Sequence, residues 1–202
     1  MLLSRKSNSN LAIGKSIDNI PLQQYESGAE ITIFDSGIWQ VYRGIVQLSR
    51  ISLDGKEIIV GWVTSNGVFG NGLDLYPTPH RAIALSDVYA RNYTPQDIVN
   101  HPSLAKQLLV QSSDRLIKAQ RLLAIIGIRR VEERLKALLL LLKQEIGQPA
   151  DDGIRLQVRF THQHLAESIH TTRVTVTRTL GDFLHQGLIG FDKEKHLIIK
   201  DL

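Results

Sequence analysis

The chain has 202 residues, 43% of them hydrophobic and 22% charged, with a formal net charge of +4. That is enough for one large or two modest domains, and mildly basic in a way that suits a polyanionic partner. It contains no cysteine, which excludes disulfides, thiolate nucleophiles, cysteine-bound zinc and cysteine-held iron-sulfur clusters.

The opening MLLSRKSNSN is too short in its apolar part for a secretory signal, and no apolar run approaches the roughly 18 residues of a membrane span. The expected location is the cytoplasm. Residues 1–15, polar and small, read as a flexible tail. From Ile17 to about Ala90 the chain alternates and turns often. Glu30-Ile31-Thr32-Ile33-Phe34, Trp39 to Gly44, Val46 to Ile51 and Glu57-Ile58-Ile59-Val60 have strand periodicity, and Asp54-Gly55 is a hairpin turn between the last two. Short strands at regular spacing without helices between them predict a small antiparallel roll.

A roll of this kind often encloses a ligand. The run Val68-Phe69-Gly70-Asn71-Gly72-Leu73 offers approachable backbone N–H groups that can cradle an anion, and Arg81 adds a charge. The alternative is that the glycines serve a corner of the roll and Arg81 is solvated.

From about His101 the character changes to helix. Pro102 suits a first turn, and Leu109, Leu116, Leu123 and Ile126 form a seam of three- and four-residue steps, the pattern of a two-stranded dimer contact; the alternative is burial against the roll of the same chain. Gly127 interrupts the pattern and reads as a hinge before a second helix from Val131. The unbroken Leu138 to Leu142 block of that helix reads as buried on several sides, and Gly147-Gln148-Pro149 ends it. Ile154 to Val158 alternates like a strand.

The stretch FTHQHLAESIHTTRVTVTRTLGDFLHQGLI, residues 160–189, has the spacing of a helix-turn-helix. Thr161 caps a first helix with Leu165, Ala166 and Ile169 on one face. A hydroxyl at Thr171-Thr172 caps a second, with Val176 and Leu180 inward. Arg173, Val174, Thr177 and Arg178 fall outward, where arginine can bond two acceptors of a guanine and valine can touch a thymine methyl. Thr161, Gln163, Thr172 and Thr175 are the expected phosphate contacts. The plainer reading is a solvated arginine face on an ordinary helical hairpin. Beyond it, Leu188 to Phe191 and His196 to Ile199 flank the charged tip Asp192-Lys193-Glu194-Lys195, a hairpin that would form a wing with Lys193 and Lys195 near phosphates.

On THQHLAESIHTTRVTVTRTLGD, and above all TTRVTVTR, the chain resembles the cAMP receptor protein/FNR superfamily of bacterial transcription regulators, most of all its nitrogen-control branch. YESGAEI, VYRGIVQLSRISLDGKEIIVGWV and GVFGNGLDL resemble that superfamily's β-roll. The resemblance implies an α+β chain: an antiparallel β-roll of the cyclic-nucleotide-binding, jelly-roll type over residues 16–100, a dimerisation helix and hinge over 101–128, and a winged helix-turn-helix over 129–202. One departure falls at the turn, where the usual glycine is His170; histidine is among the better tolerated residues at positive φ.

The resemblance also implies partners and an effector: a palindromic double-stranded DNA site with GTA-like halves, a second copy of the chain, and RNA polymerase. In cyclic-nucleotide members a glutamate binds the ribose where this chain has Asn71, and Ala119 and Gln120 stand where the base is contacted, so cAMP is disfavoured. In the nitrogen-control branch 2-oxoglutarate is held by a Phe-Gly loop, a roll arginine, and an arginine and a glutamate on the long helix. Phe69-Gly70 and Arg115 match, Gln120 replaces the glutamate, and the loop before Arg81 is shorter, so the roll arginine has no clean counterpart. The expected effector is 2-oxoglutarate-like; no cofactor is certain. In this scheme a ligand touching Arg115 and Gln120 alters the packing of the paired helices, and Gly127 passes the change on.

Two alternatives differ in class. His162-Gln163-His164 with Glu167 forms an HxHxxE pattern that would suit a metal-dependent cupin-type enzyme, although two histidines one residue apart on a helix diverge by about 200°. A lone His80 as a haem ligand is a weaker version of the same idea. The chain also suits an effector-independent accessory regulator acting through protein contacts.

Overall fold

The computed structural model describes residues 17–33, 37–52, 55, 57–70 and 80–202. The readings made on residues 1–15, on Phe34, on the Asp54 half of the hairpin turn, on Asn71 and Gly72, on the loop 73–79 and on the side chain of His80 lie outside the described residues. Eight strands form the first half: β1 Gln23–Tyr25, β2 Glu30–Ile31, β3 Ile38–Arg43, β4 Val46–Ile51, β5 Glu57–Val63, β6 Val68–Phe69, β7 His80–Ala84 and β8 Val88–Tyr93. They pair antiparallel in two sheets, ordered β1-β8-β3-β6 and β2-β7-β4-β5. The alternation of β4 explains the layering. Val46 and Leu48 point into the roll and meet Val63, Ala82 and Ala84, whereas Gln47 and Ser49 point out of it. Trp39 stacks on Phe69 inside the roll, ring centroids 6.0 Å apart.

A short helix, α1 (Pro95–Asn100), follows; Thr94 accepts from the Asp97 N–H, and Asp97 accepts in return from the Thr94 N–H. That reciprocal cap was a signal in Thr94-Pro95-Gln96-Asp97 that the periodicity does not report. The long helix α2 (Pro102–Ile126) starts at Pro102 as expected and ends against Gly127, whose backbone stays right-handed at φ −68°. It has two apolar faces. Leu104, Leu108, Leu122 and Ile125 are buried against its own chain, while Leu109, Leu116 and Leu123 remain 60–68% exposed.

The second half contains α3 (Val131–Ile146), β9 (Gly147–Ala150), β10 (Gly153–Leu156), α4 (His162–Ser168), α5 (Arg173–His185), β11 (Ile189–Phe191) and β12 (Leu197–Ile199). Leu138, Leu139 and Leu142 are fully buried, so the leucine block is enclosed as its continuity implies. Gly147 ends α3, but the segment expected only to stop the helix goes on to form β9, the edge of the sheet β11-β12-β10-β9, where Pro149 lacks only a donor that an edge does not need. The core of this half takes in Leu122 and Ile125 of α2 and reaches the roll at Ile45. Among the described residues no helix is long and apolar enough to cross a membrane.

Candidate nucleic-acid interface

Two threonines start the two helices of the motif. Thr161 Oγ1 accepts from the His164 N–H at 3.0 Å, and Thr172 Oγ1 accepts from the Thr175 N–H at 3.2 Å. Each satisfies an N–H that the first turn of a helix leaves unpaired. Between the helices the chain turns at His170, with φ +52°, and the Thr171 N–H returns to the Ala166 carbonyl at 3.0 Å. The glycine position is therefore occupied by histidine in the left-handed conformation.

This frame decides what α5 presents. Val176, Leu180 and Phe183 are buried against Leu165, Ala166 and Ile169, which fixes the helix about its axis. The opposite face carries Arg173, Val174, Thr177 and Arg178, all exposed, Val174 at 79%. Neither Arg173 nor Arg178 forms a salt bridge with a described residue, so both guanidiniums present their donors outward. Thr177 is more committed, donating to the Arg173 carbonyl at 2.9 Å and lying 2.7 Å from His162 Nδ1. Thr172 and Thr175 share a 2.9 Å hydroxyl contact, and Gln163 donates to Glu167 at 2.7 Å. The His162 contact to α5 accounts for one of the three members of the HxHxxE pattern, which do not converge; the metal-type cluster among the described residues is Asp192, Glu194 and His196 instead.

That cluster sits at the wing and is filled by a side chain. Arg155 of β10 donates to Asp192 at 2.6 Å and to Glu194 at 3.2 Å, and the His196 N–H reaches Asp192 at 2.7 Å. Burial pushes the Asp192 carboxyl up. The hydrogen bonds from Arg155 and the His196 backbone, with the charges of both residues, outweigh it and bring the carboxyl down to about 2. Lys193 and Lys195 at the tip are exposed.

The reading head is docked on the outer face of the roll. Gln163, His164 and Glu167 of α4 share a small cleft with Gln47, Glu57 and Arg81, and Phe160 meets Trp62 edge-on at 5.6 Å between centroids. Arg173 and Thr161 open onto a larger cleft of about 1160 Å³, whose far wall includes Ile83 and Leu85 of the roll.

The expected effector residues are scattered by this arrangement. Arg81 lies on the outer face of its sheet, bonded to Glu30 at 3.2 Å and Glu57 at 3.4 Å, because its partner in register, Ser49, points outward too. It is not brought to Arg115. Phe69 is buried in the roll core, and Gly70, at φ +120°, serves a corner: a Cβ there would lie 2.5 Å from the Gly37 carbonyl. Gln120 is exposed on the far side of α2. Arg115 faces a cavity of about 320 Å³ that Arg81 does not line, and Arg50 lines it too.

A roll, a long helix and a capped two-helix reader with a wing define a DNA-binding regulator with a sensor-type domain. Residues 133–202 match the model of the Crp-like helix-turn-helix domain. The chain is 33% identical over 192 residues to the global nitrogen regulator of Synechococcus elongatus, covering 87% of this chain and 85% of that one. It is 34% identical over 178 residues to the global nitrogen regulator of Synechocystis, with 81% and 79% covered. A CRP/FNR-family transcriptional regulator from Thermus thermophilus shares the fold with a TM-score of 0.73 at 23% identity, covering 90% of this chain and 94% of that one. The chain belongs to the CRP/FNR family of transcription regulators, and the enzyme reading is set aside.

Proposed function

We propose that the chain works as a homodimer that reads a palindromic DNA site through α5 and is controlled by a 2-oxoglutarate-like effector. The observation that carries the DNA reading is the split face of α5: Val176, Leu180 and Phe183 anchor it, while Arg173, Val174 and Arg178 are exposed. Arg173 takes the guanine of a GTA-like half-site, Val174 the thymine methyl, and Arg178 a further base edge. The oxygens and amide of Thr161, Gln163, Thr172 and Thr175 lie near the helix starts, where phosphates pass, and Thr177 adds a contact beside Arg173. The exposed leucines of α2 support pairing with a second copy, which sets two reading heads about 34 Å apart. Two relatives named as global nitrogen regulators support control linked to nitrogen. RNA polymerase is the further partner, and the cytoplasm the site of action.

The test is selection of bound duplexes from a random pool at physiological salt, where non-specific charge contacts fade. A two-fold symmetric motif is expected, with its guanine preference lost in Arg173→Ala. A bound pool without symmetry, or a motif unchanged by Arg173→Ala, would refute the reading.

A further inference from the structure

His162 opens α4 and joins it to α5, its Nδ1 lying 2.7 Å from Thr177 Oγ1. A hydroxyl has one proton to give, and that of Thr177 goes to the Arg173 carbonyl at 2.9 Å. Nδ1 is therefore the donor to Thr177, and in the neutral ring Nε2 is left with a lone pair and no proton. Nε2 has no hydrogen-bond partner among the described residues. Two hydrogen bonds in series thus fix this ring on the backbone of Arg173.

The ring also lines the cleft of about 1160 Å³ onto which Arg173 and Thr161 open. The other charged and titratable residues of that cleft are Arg159, Arg173 and Lys195 with His164 and His196, and no carboxylate lines it. Arg159, Arg173 and Lys195 form no ion pair with a described residue. The carboxylates of the surrounding elements are engaged or placed elsewhere. Glu167 of α4 accepts from Gln163 and lines the small cleft with Arg81, Asp87 of the roll accepts from the Ser27 N–H, and Asp192 and Glu194 of the wing hold Arg155. Asp182 stands far along α5, nine residues beyond Arg173. Three unpaired cations with no carboxylate between them suit a strand of phosphates.

We propose that His162 takes up a proton from solvent at Nε2 when DNA binds and donates a hydrogen bond from it to a backbone phosphate, so that each reading head couples DNA affinity to pH. The proposal rests on the reading of α5 as the DNA-reading helix, and it gives a role to a histidine that the metal reading left without one. In the neutral ring the Nε2 lone pair repels a phosphate oxygen. In the imidazolium the same atom carries an N–H, and its bond to phosphate is charge-assisted. Nδ1 keeps its proton and its bond to Thr177 in both states, so the ring changes charge without moving. Histidine ordinarily changes charge between about pH 5 and 8, so the coupling acts in that window. The bound form carries more protons than the free form, and affinity therefore rises as pH falls.

Anisotropy titration of the full chain with a labelled palindromic duplex carrying GTA halves, at constant salt, tests this. The unaltered chain is expected to bind about tenfold or more tightly at about pH 5.5 than at about pH 8. His162→Gln keeps an amide donor for Thr177 but cannot charge, and its ratio is expected to fall to about twofold, the remainder belonging to His164 and His196. His162→Arg carries a fixed charge; it is expected to lose the same dependence and to bind at about pH 8 nearly as tightly as the unaltered chain at about pH 5.5. Calorimetry in two buffers of different ionisation heat reads the proton directly: uptake of up to about one per reading head in the unaltered chain, and none from this site in His162→Gln. An undiminished pH ratio or proton uptake in His162→Gln overturns the proposal, as does a His162→Arg chain that binds no more tightly than the unaltered one at the alkaline end. If the unaltered chain ignores the duplex at every pH, the reading of the head itself fails; if it binds and His162→Gln keeps the full ratio, only the role of His162 does.

Discussion

Val174 and Val176 stand two residues apart on α5, and the same substitution should have opposite consequences at the two. Val176 is 0% exposed and packed in the core of the DNA-binding half, whereas Val174 is 79% exposed. Truncation of Val176 to alanine removes two buried carbon groups at about 0.8 kcal/mol each, and the void left behind raises the loss to about 2–3 kcal/mol. For a chain of this length that lowers the melting temperature by about 4–12 °C. Val174→Ala removes the same two groups from water-exposed surface, where changes stay within about 0.5 kcal/mol. Its effect belongs to DNA: the thymine preference next to the guanine should weaken. Calorimetric melting of the two variants, with competition binding on duplexes altered at the thymine, checks both halves. If Val174→Ala melts as low as Val176→Ala, or Val176→Ala melts like the unaltered chain, the assignment of inner and outer faces is wrong and the base-reading argument goes with it.

Three other outcomes follow from single features. His170 sits at φ +52°, so His170→Gly is expected to stabilise by up to about 1 kcal/mol and His170→Val to destabilise, as read by urea denaturation; a loss with glycine would contradict the left-handed turn. Asp192 is held at about 2, well below the ordinary carboxylate range, by Arg155 and His196. The wing's stabilisation is therefore present above the ordinary value and lost as pH falls through about 2; in Arg155→Met the loss should move up toward the ordinary value, measurable as the Asp192 carboxyl titration by NMR. An Asp192 titration unmoved by that substitution would contradict the ion pair. Leu116→Asp combined with Leu123→Asp places charges on the exposed leucine face of α2, and sedimentation equilibrium should show a monomer; a dimer that persists would put the interface elsewhere.

The reading head was legible because its information is local. A helix-turn-helix is two faces and two caps within one short stretch, so Thr161, Thr172, Leu165, Ala166, Val176 and Leu180 report their places through spacing alone, and His170 marks the turn by standing where a left-handed residue is needed. The roll was legible strand by strand in β4 and β5 but not as a sheet order, since the pairing of β4 with β7 and of β3 with β8 joins segments far apart in the chain. Strand β1, with Gln23 and Gln24 exposed, carries almost no apolar alternation to find. Arg50 was missed for a related reason. The alternation of Val46, Leu48 and Arg50 was readable and does put all three on one face, but nothing near Arg50 says that α2 will cover that face.

The DNA-binding half is tied to the rest of the chain at two places. Trp62 lines the cavity beside Arg115 and meets Phe160 edge-on, and Phe160 immediately precedes the Thr161 cap of α4. Lys118 and Glu145 join α2 to α3 across the same cavity. The DNA-binding half therefore touches the cavity walls at two points, one at the start of the motif and one at the end of α3. If an effector shifts α2 and breaks the Lys118–Glu145 tie, the Trp62–Phe160 contact would be left as the pivot. Whatever factor the ligand contributes to DNA affinity, DNA must contribute equally to ligand affinity. Removal of the pivot by Phe160→Ala should reduce both factors together; if it lowers one and leaves the other, the coupling does not pass through this contact.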